Sequence, residues 1–154
     1  MGPNCSQYPS DYVCQLIGNG GGNASAARTS VSAGADSRIK AAVIAAPAIG
    51  FVFAPDGLKN VKVPVQLWGA ENDVLLPQSR YAESVKAALP QAPDYRVVPN
   101  AGHYDFLVPC SADLASIAPP ICASAAGFDR AAFHESFNAA VVSFMGKALG
   151  AGAR

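Results

Sequence analysis

Three short apolar segments, separated by loop and helix signals, constrain the fold of this chain more than any other feature. Residues 39–46 form one apolar run, 63–68 a second and 95–98 a third. Between the second and third, residues 79–89 follow a helical pattern, with Ser79 as the predicted N-cap. Apolar strands that alternate with helices predict parallel pairing in an α/β sheet that is covered on both faces.

A long helix is predicted at the end of the chain, from residue 129 to about residue 149. Asp129 is its predicted N-cap, and Arg130 and Glu135 are predicted to be solvated. Residues 109–127, which precede it, are rich in Ala, Ser and Pro and are predicted to form a loop. The side chains spaced to form one buried face of the helix are Phe133, Phe137, Val141 and Phe144.

The first 36 residues differ from the rest in having few large apolar side chains. Their glycine-rich run at 18–23 matches neither G-x-G-x-x-G nor the Walker pattern, and no strand precedes it. We therefore predict a loop-rich segment, 1–36, followed by an α/β part, 37–154. A sheet of about three strands would have an edge at which further strands normally continue.

The charge balance argues against nucleic acid as a partner, and the length of the apolar stretches argues against a membrane. The 154 residues include eleven basic and eleven acidic side chains with no run of like charge, which is not the composition of a nucleic-acid binder. The longest apolar stretch has the length of a strand and is too short to span a membrane. We expect a globular domain with neither nucleic acid nor a membrane as its partner.

Four cysteines, at positions 5, 14, 110 and 122, bear on the cellular compartment. Their spacing does not suit zinc, so we predict no metal site. Two local disulfides, Cys5–Cys14 and Cys110–Cys122, would each close a poorly ordered loop; four free buried thiols are the alternative. Disulfides imply a periplasmic or secreted protein, although no signal peptide is visible. The alternatives are that the protein is intracellular, that a signal was removed, or that the true start lies upstream.

A carboxylate and an imidazole follow two successive predicted strands. Asp73 lies just after the second strand, and His103 lies just after the third. Such a pair suits a general base and the residue that orients it. The base would normally serve a serine on a G-x-S-x-G turn between a strand and a helix, and this sequence contains no G-x-S-x-G.

Five segments of the sequence resemble the C-terminal part of an α/β-hydrolase. They are Asp36-Ser-Arg-Ile-Lys-Ala-Ala-Val43, Ala46-Pro-Ala-Ile-Gly50, Val63-Pro-Val-Gln-Leu-Trp-Gly69, Ala101-Gly-His-Tyr-Asp-Phe-Leu107 and Phe128-Asp-Arg-Ala-Ala-Phe-His134. Within that superfamily they resemble the predicted dienelactone hydrolases and the related bacterial acetylhydrolase and esterase group. The resemblance implies a three-layer, α/β-hydrolase-type parallel sheet, of which this chain carries about three strands with flanking helices.

The resemblance also implies a reaction. In that family the order along the chain is Ser, Asp, His, and Asp73 matches the acid while His103 matches the base. His103 would take a proton from a serine hydroxyl and pass it to the leaving alcohol, while Asp73 would fix the tautomer of the imidazole. The implied activity is hydrolysis of a small-molecule carboxylic ester or lactone through an acyl-enzyme, with no metal and no organic cofactor.

The nucleophile is the missing member of this site. Ser32, in Ser30-Val-Ser-Ala-Gly34, is the nearest imitation of the serine turn, but it has neither a good strand before it nor room for a helix after it. Cys5 or Cys14 is a further substitute, although disulfide pairing is the simpler interpretation.

Other polar and aromatic residues near the motifs have structural alternatives. Glu71 is the second choice for the acid, and Asp105 is predicted to bond backbone within its own turn. His134 is predicted to pack or cap on the last helix. Trp68 and Tyr104 either line an acyl pocket or cover the sheet edge.

Three functional interpretations therefore remain open. The chain is the C-terminal part of a serine hydrolase whose missing N-terminal half, or a second polypeptide, supplies the serine. Alternatively it is a small esterase with an unconventional nucleophile. The third possibility is a truncated, inactive remnant that acts as a binding or self-association module, for which an open sheet edge would favour a homodimer.

Overall fold

The computed structural model describes residues 36–48 and 57–150, together with residues 7, 9, 10, 14 and 15. The chain divides into two compact units, Met1–Ile39 and Lys40–Arg154. In the first unit, Cys14 is buried and disulfide-bonded. Its predicted partner, Cys5, lies outside the described residues.

The second unit contains a three-stranded parallel sheet with flanking helices, so the fold is α/β as predicted. Its strands are β1 (Ala42–Ala45), β2 (Val65–Ala70) and β3 (Asp94–Val98), in the spatial order β1-β2-β3. Its helices are α1 (Ala82–Ala88), α2 (Ala112–Ile117), α3 (Pro119–Cys122) and α4 (Arg130–Ala148), with a 3₁₀ turn at His103–Phe106.

The central strand, β2, is buried along its whole length. Successive side chains of a strand point to opposite faces. On one face, Trp68 packs edge-on against Phe137 of α4, with ring centroids 4.9 Å apart. On the other face, a Cβ added to Gly69 would lie 3.6 Å from the Cβ of Ala82 in α1. Helices therefore cover both faces, which explains why this segment of the sequence is apolar on both sides.

A polar residue inside this strand keeps its hydrogen bonds. Gln66 is fully buried, and its side chain donates to Asp94 Oδ2 at 2.8 Å and accepts from Trp68 Nε1 at 3.0 Å. Hydrogen bonds from Arg96 and then Gln66 hold the pKa of Asp94 below its ordinary value. Because the charged form is favoured in the folded state, this contribution is present above the ordinary pKa and is lost as the pH falls through the lowered one.

Three predicted element starts were two or three residues too early, and the second strand, expected from residue 63, begins at Val65. The first strand was expected from residue 39, but the chain turns there, with Ile39 N–H donating to Asp36 O, and Ile39 is 58% exposed. The helix expected from residue 79 starts at Ala82, and Ser79 does not cap it. The turn before it is held instead by the carbonyls of Pro77 and Gln78, which accept backbone hydrogen bonds.

The C-terminal helix was predicted correctly in its bounds and its cap. Asp129 accepts a hydrogen bond from Ala132 N at 3.0 Å, and the helix runs from Arg130 to Ala148. Phe133 is buried against Trp68 and Val98, and the other predicted members of its stripe are half-buried. Within the described residues, no helix is both long and apolar enough to cross a membrane.

We predict that Leu67→Ala destabilises the domain by about 2–5 kcal/mol, because Leu67 is fully buried at the centre of β2 and its loss leaves a cavity. Urea unfolding followed by circular dichroism measures the change. The matched control is Val142→Ala on the exposed face of α4, where the side chain is 71% exposed; it should change stability by no more than about 0.5 kcal/mol. Equal losses in the two variants would contradict the assignment of the core.

Candidate active site

Two loops leave the same edge of the sheet and are joined to each other. They follow β2 and β3, whose parallel pairing places both carboxyl ends together. Glu71 N donates to Val98 O at 3.1 Å, and Asn72 N donates to Ala101 O at 2.9 Å. These backbone bonds extend the pairing of the strands into the loops, so side chains from the two loops can meet.

Polar side chains fix the two loops further. Glu71 Oε2 accepts from Asn100 N at 2.8 Å, and Asn72 Nδ2 donates to Asn100 Oδ1 at 3.2 Å. Asn100 has φ of 63°, in the left-handed region that asparagine adopts more readily than most residues. Glu71, the second choice for the acid, therefore binds the backbone of the neighbouring loop and does not pair with His103.

The structure brings Asp73 and His103 together. Asp73 Oδ2 lies 2.8 Å from His103 Nδ1, with the carboxylate 2% and the imidazole 25% exposed. An ionised carboxylate can only accept, so Nδ1 carries the hydrogen of this bond. In the neutral imidazole the lone pair is then on Nε2, for which the described residues provide no hydrogen-bond partner. This arrangement has the polarity that a general base requires.

Asp73 is itself held rigidly. Its other carboxylate oxygen, Oδ1, accepts from Leu75 N at 3.1 Å and from Leu76 N at 2.7 Å. The side chain thus closes its own loop while it binds the imidazole. A carboxylate fixed by backbone donors can orient a histidine with little loss of side-chain freedom.

A cavity of about 340 Å³ lies beside the imidazole. Its volume is at the small end of the range of ligand pockets. The strap, which we define as residues 107–127, forms one wall, and the loops of Asp73 and His103 form the other. The lining residues besides His103 are Asn72, Val74, Leu75, Gly102, Tyr104, Asp105, Pro120, Ala123, Ser124 and Ala125.

The strap was predicted to be a loop, but it contains two short helices. It contains α2, capped by the side chain of Ser111, and α3, which begins at Pro119. The predicted disulfide between Cys110 and Cys122 is confirmed, and it joins the start of α2 to the end of α3. A disulfide is compatible with an oxidising compartment.

Arg130 was predicted to be solvated, and this was wrong. Its side chain is buried and donates to Asp105 Oδ1 at 3.0 Å and to Ser124 Oγ at 3.2 Å. It also donates to the carbonyls of Ile121 at 3.0 Å and Ala123 at 2.9 Å. A helical pattern places arginine with the polar residues, and the carboxylate that pairs with it, Asp105, is 25 residues away in the sequence.

Asp105 lies in its turn as predicted, with more partners than expected. Its Oδ2 accepts from Gly102 N at 2.7 Å, and its Oδ1 also accepts from Ser124 Oγ at 2.5 Å. His134, predicted to pack or cap, bonds the carbonyl of Asp105 at 3.0 Å through Nε2 and lies against the rings of Phe133 and Phe137. The His134 side chain is therefore part of the core and is not positioned to act as a second base.

The two aromatic residues predicted either to line an acyl pocket or to cover the sheet edge lie in different places. Tyr104 lines the cavity, with its ring centroid 5.3 Å from that of His103. Trp68 does not line it: the indole is buried in the core, beneath the guanidinium of Arg96 at 5.1 Å. The reason is strand alternation, which turns Trp68 towards α4.

Two candidate nucleophiles, Ser32 and Cys5, lie outside the described residues, and Cys14 is disulfide-bonded. Within the part of the chain that the structure describes, no group of three or more His, Cys, Asp or Glu side chains could hold a metal ion. Comparison with protein-family models, with curated proteins and with solved structures finds no match to this chain.

We predict that Asp73→Ala destabilises the domain by about 2–4 kcal/mol, because it removes the acceptor of Leu75 N, Leu76 N and His103 together. Thermal and urea unfolding measure the loss. Glu135→Ala removes a carboxylate from the exposed face of α4 and serves as the control, with an expected change within about 0.5 kcal/mol. A loss for Asp73→Ala no larger than that of the control would show that the loop does not depend on this side chain.

Proposed function

We propose that this chain belongs to a carboxylic ester or lactone hydrolase in which His103 is the general base and Asp73 orients it. The observation that carries the proposal is the 2.8 Å contact between a buried carboxylate and an imidazole that lines a cavity. The position of both side chains on loops at the carboxyl edge of a parallel sheet supports it, since active sites of open α/β sheets lie there. The fold we propose is of the α/β-hydrolase type, and its substrate is a small molecule.

The proposed chemistry needs a serine from outside the described residues. Its hydroxyl would lose a proton to His103 Nε2 while its oxygen attacks the ester carbonyl carbon. The imidazolium would then return that proton to the departing alkoxide, which leaves an acyl-enzyme. A water molecule would repeat both steps and release the acid. Asp73 would keep Nδ1 protonated and stabilise the imidazolium, and no metal or organic cofactor takes part in these steps.

The cavity favours an uncharged substrate. Its walls carry apolar side chains such as Val74, Leu75 and Pro120. The one carboxylate among its lining residues, Asp105, is buried and already bound by Arg130. Neither charge is left to pair with an ionised substrate group, so neutral short-chain esters are the substrates of choice.

The test uses hydrolysis of p-nitrophenyl butyrate together with labelling by a fluorophosphonate, on this chain and on the chain extended by its natural upstream coding sequence. The mass of the labelled peptide identifies the nucleophile. In the protein that turns over, we expect His103→Ala to lower kcat/KM by about 10²–10⁴-fold.

A matched pair of acid variants tests the assignment of Asp73. Asp73→Asn should lower kcat/KM strongly, because an amide can stabilise the wrong tautomer of the imidazole. Glu71→Gln should leave the rate within about twofold of the parent, because Glu71 binds backbone and not His103. The proposal would be refuted if none of these proteins showed turnover or labelling. It would also be refuted if His103→Ala and the parent had equal rates.

The compartment follows from the same proposal. A hydrolase that keeps the Cys110–Cys122 bond suits the periplasm or the cell exterior, where disulfides persist.

A second candidate function is self-association through β1. Within the described residues β1 pairs on one side only, with β2, and its four residues include no charge and no proline. The opposite edge strand, β3, carries Asp94 and Arg96, the kind of charges that discourage edge pairing. A second copy of this chain, related by a two-fold axis, would place the two β1 strands side by side.

We predict for this candidate a dimer in sedimentation velocity at micromolar concentration. Ala45→Lys, at the exposed end of β1, should shift the dimer towards the monomer because a lysine on an edge strand discourages edge-to-edge pairing. The control is Val97→Lys on β3, a strand whose edge is already charged, and it should leave the distribution unchanged. A single monomeric species for the parent chain over the whole concentration range would remove this candidate.

A further inference from the structure

A buried arginine connects three parts of the chain around the candidate site. Arg130 belongs to the first turn of α4, Asp105 belongs to the 3₁₀ turn that starts at His103, and the strap supplies Ile121, Ala123 and Ser124. All of its partners are acceptors within 3.2 Å. The geometry points to Arg130 as the positioning residue of the site, one that holds the His103 turn and the strap at a fixed distance; this inference rests on the proposed function.

The first link runs from Arg130 to the turn. Arg130 Nε donates to Asp105 Oδ1, and Asp105 Oδ2 accepts from Gly102 N, the residue before His103. The carboxylate therefore closes the turn on one side and meets the guanidinium on the other. Because both side chains are nearly fully buried, water cannot replace either partner. Loss of the guanidinium would leave an unpaired charge directly beneath the turn that carries the imidazole.

The second link runs from Arg130 to the strap. Its two terminal nitrogens donate to the carbonyls of Ile121 and Ala123, on either side of Cys122. Ala123 and Ser124 also line the cavity opposite His103. One planar group therefore fixes the position of the strap and of the His103 turn, which form the two walls of the cavity. A guanidinium can do this because its five donors form a rigid fork. A lysine offers a single nitrogen and cannot reach Asp105 and both carbonyls at once.

Arg130 is not a catalytic residue in this scheme. It is buried, its donors are used by protein acceptors, and it contacts neither Asp73 nor His103 among the hydrogen bonds of the described residues. Its effect on the imidazole passes through Asp105 and Gly102. A suitable readout therefore reports the state of the imidazole itself and does not require turnover.

The primary experiment records the low-field proton resonance of His103 Nδ1–H by NMR in ¹⁵N-histidine-labelled protein. We expect this resonance to be visible as long as the hydrogen bond to Asp73 slows exchange of the proton with solvent. We expect Arg130→Met to broaden or abolish it at temperatures where circular dichroism shows a folded chain. Arg38→Met, which removes an equal charge from a side chain that is 89% exposed, should leave it unchanged. A sharp, unshifted resonance in folded Arg130→Met would overturn the inference.

A second variant tests the same inference if Arg130→Met does not fold. The double variant Arg130→Met/Asp105→Asn removes both buried charges, a change that proteins tolerate better than removing one. Its asparagine can still accept from Gly102 N, so the variant removes the connection between the turn and the strap without leaving an unpaired buried charge. We again expect loss of the Nδ1–H resonance, and its survival in the folded double variant would equally overturn the inference.

The strap has its own readout, the rate at which dithiothreitol reduces Cys110–Cys122 in folded protein. We expect Arg130→Met and Arg130→Lys to raise this rate roughly tenfold, since each frees a carbonyl beside Cys122. Arg130→Lys should retain the imidazole resonance, because a lysine can still meet Asp105. A parental reduction rate in Arg130→Lys would refute the second link. Neither the resonance nor the reduction rate depends on a nucleophile. If the proposed hydrolysis is wrong, turnover and labelling are absent; if this inference is wrong, the resonance and the reduction rate do not change in the Arg130 variants.

Discussion

The parallel pairing of β2 with β3 is the interaction on which the candidate site depends. Parallel strands release their following loops at the same edge, and here the ladder continues through Glu71 N and Asn72 N into the next loop. Asp73 and His103, 30 residues apart in the sequence, meet at 2.8 Å for this reason. An antiparallel arrangement of the same two strands would send the two loops to opposite ends of the sheet. The burial of β2 between two helical layers keeps this register fixed.

Much of the framework was readable from local sequence patterns. The three strands, the long C-terminal helix and its Asp129 cap follow from apolar runs, helical spacing and capping chemistry, all of which act within a few residues. The Asp73–His103 contact required one further step, the rule that parallel strand ends share an edge. The start of α1 could not be read in this way. Ser79 has the right chemistry for a cap, but backbone bonds to Pro77 and Gln78 delay the helix to Ala82.

The features that could not be predicted from the sequence are those that depend on contacts between residues far apart in the chain. Arg130 looks like a solvent-facing residue in any helical projection, and its burial depends on Asp105 and on carbonyls of the strap. The two short helices of the strap have no apolar stripe of their own and depend on the disulfide and on Pro119. Trp68 was predicted either to line an acyl pocket or to cover the sheet edge, and local patterns could not decide between them. The pleat of β2 directs its ring to α4, away from the cavity.

The position of Trp68 has an optical consequence. It is the only tryptophan in the chain, and it lies where β2, β3 and α4 meet, with Phe137 at its edge and the Arg96 guanidinium over its ring. Its indole N–H is bonded to Gln66 and the ring is shielded from water, so its emission reports a single environment. The intrinsic fluorescence of this protein is therefore a gauge of whether the terminal helix is docked on the sheet. Tryptophan fluorescence can therefore follow the docking of α4 on the sheet without an added label.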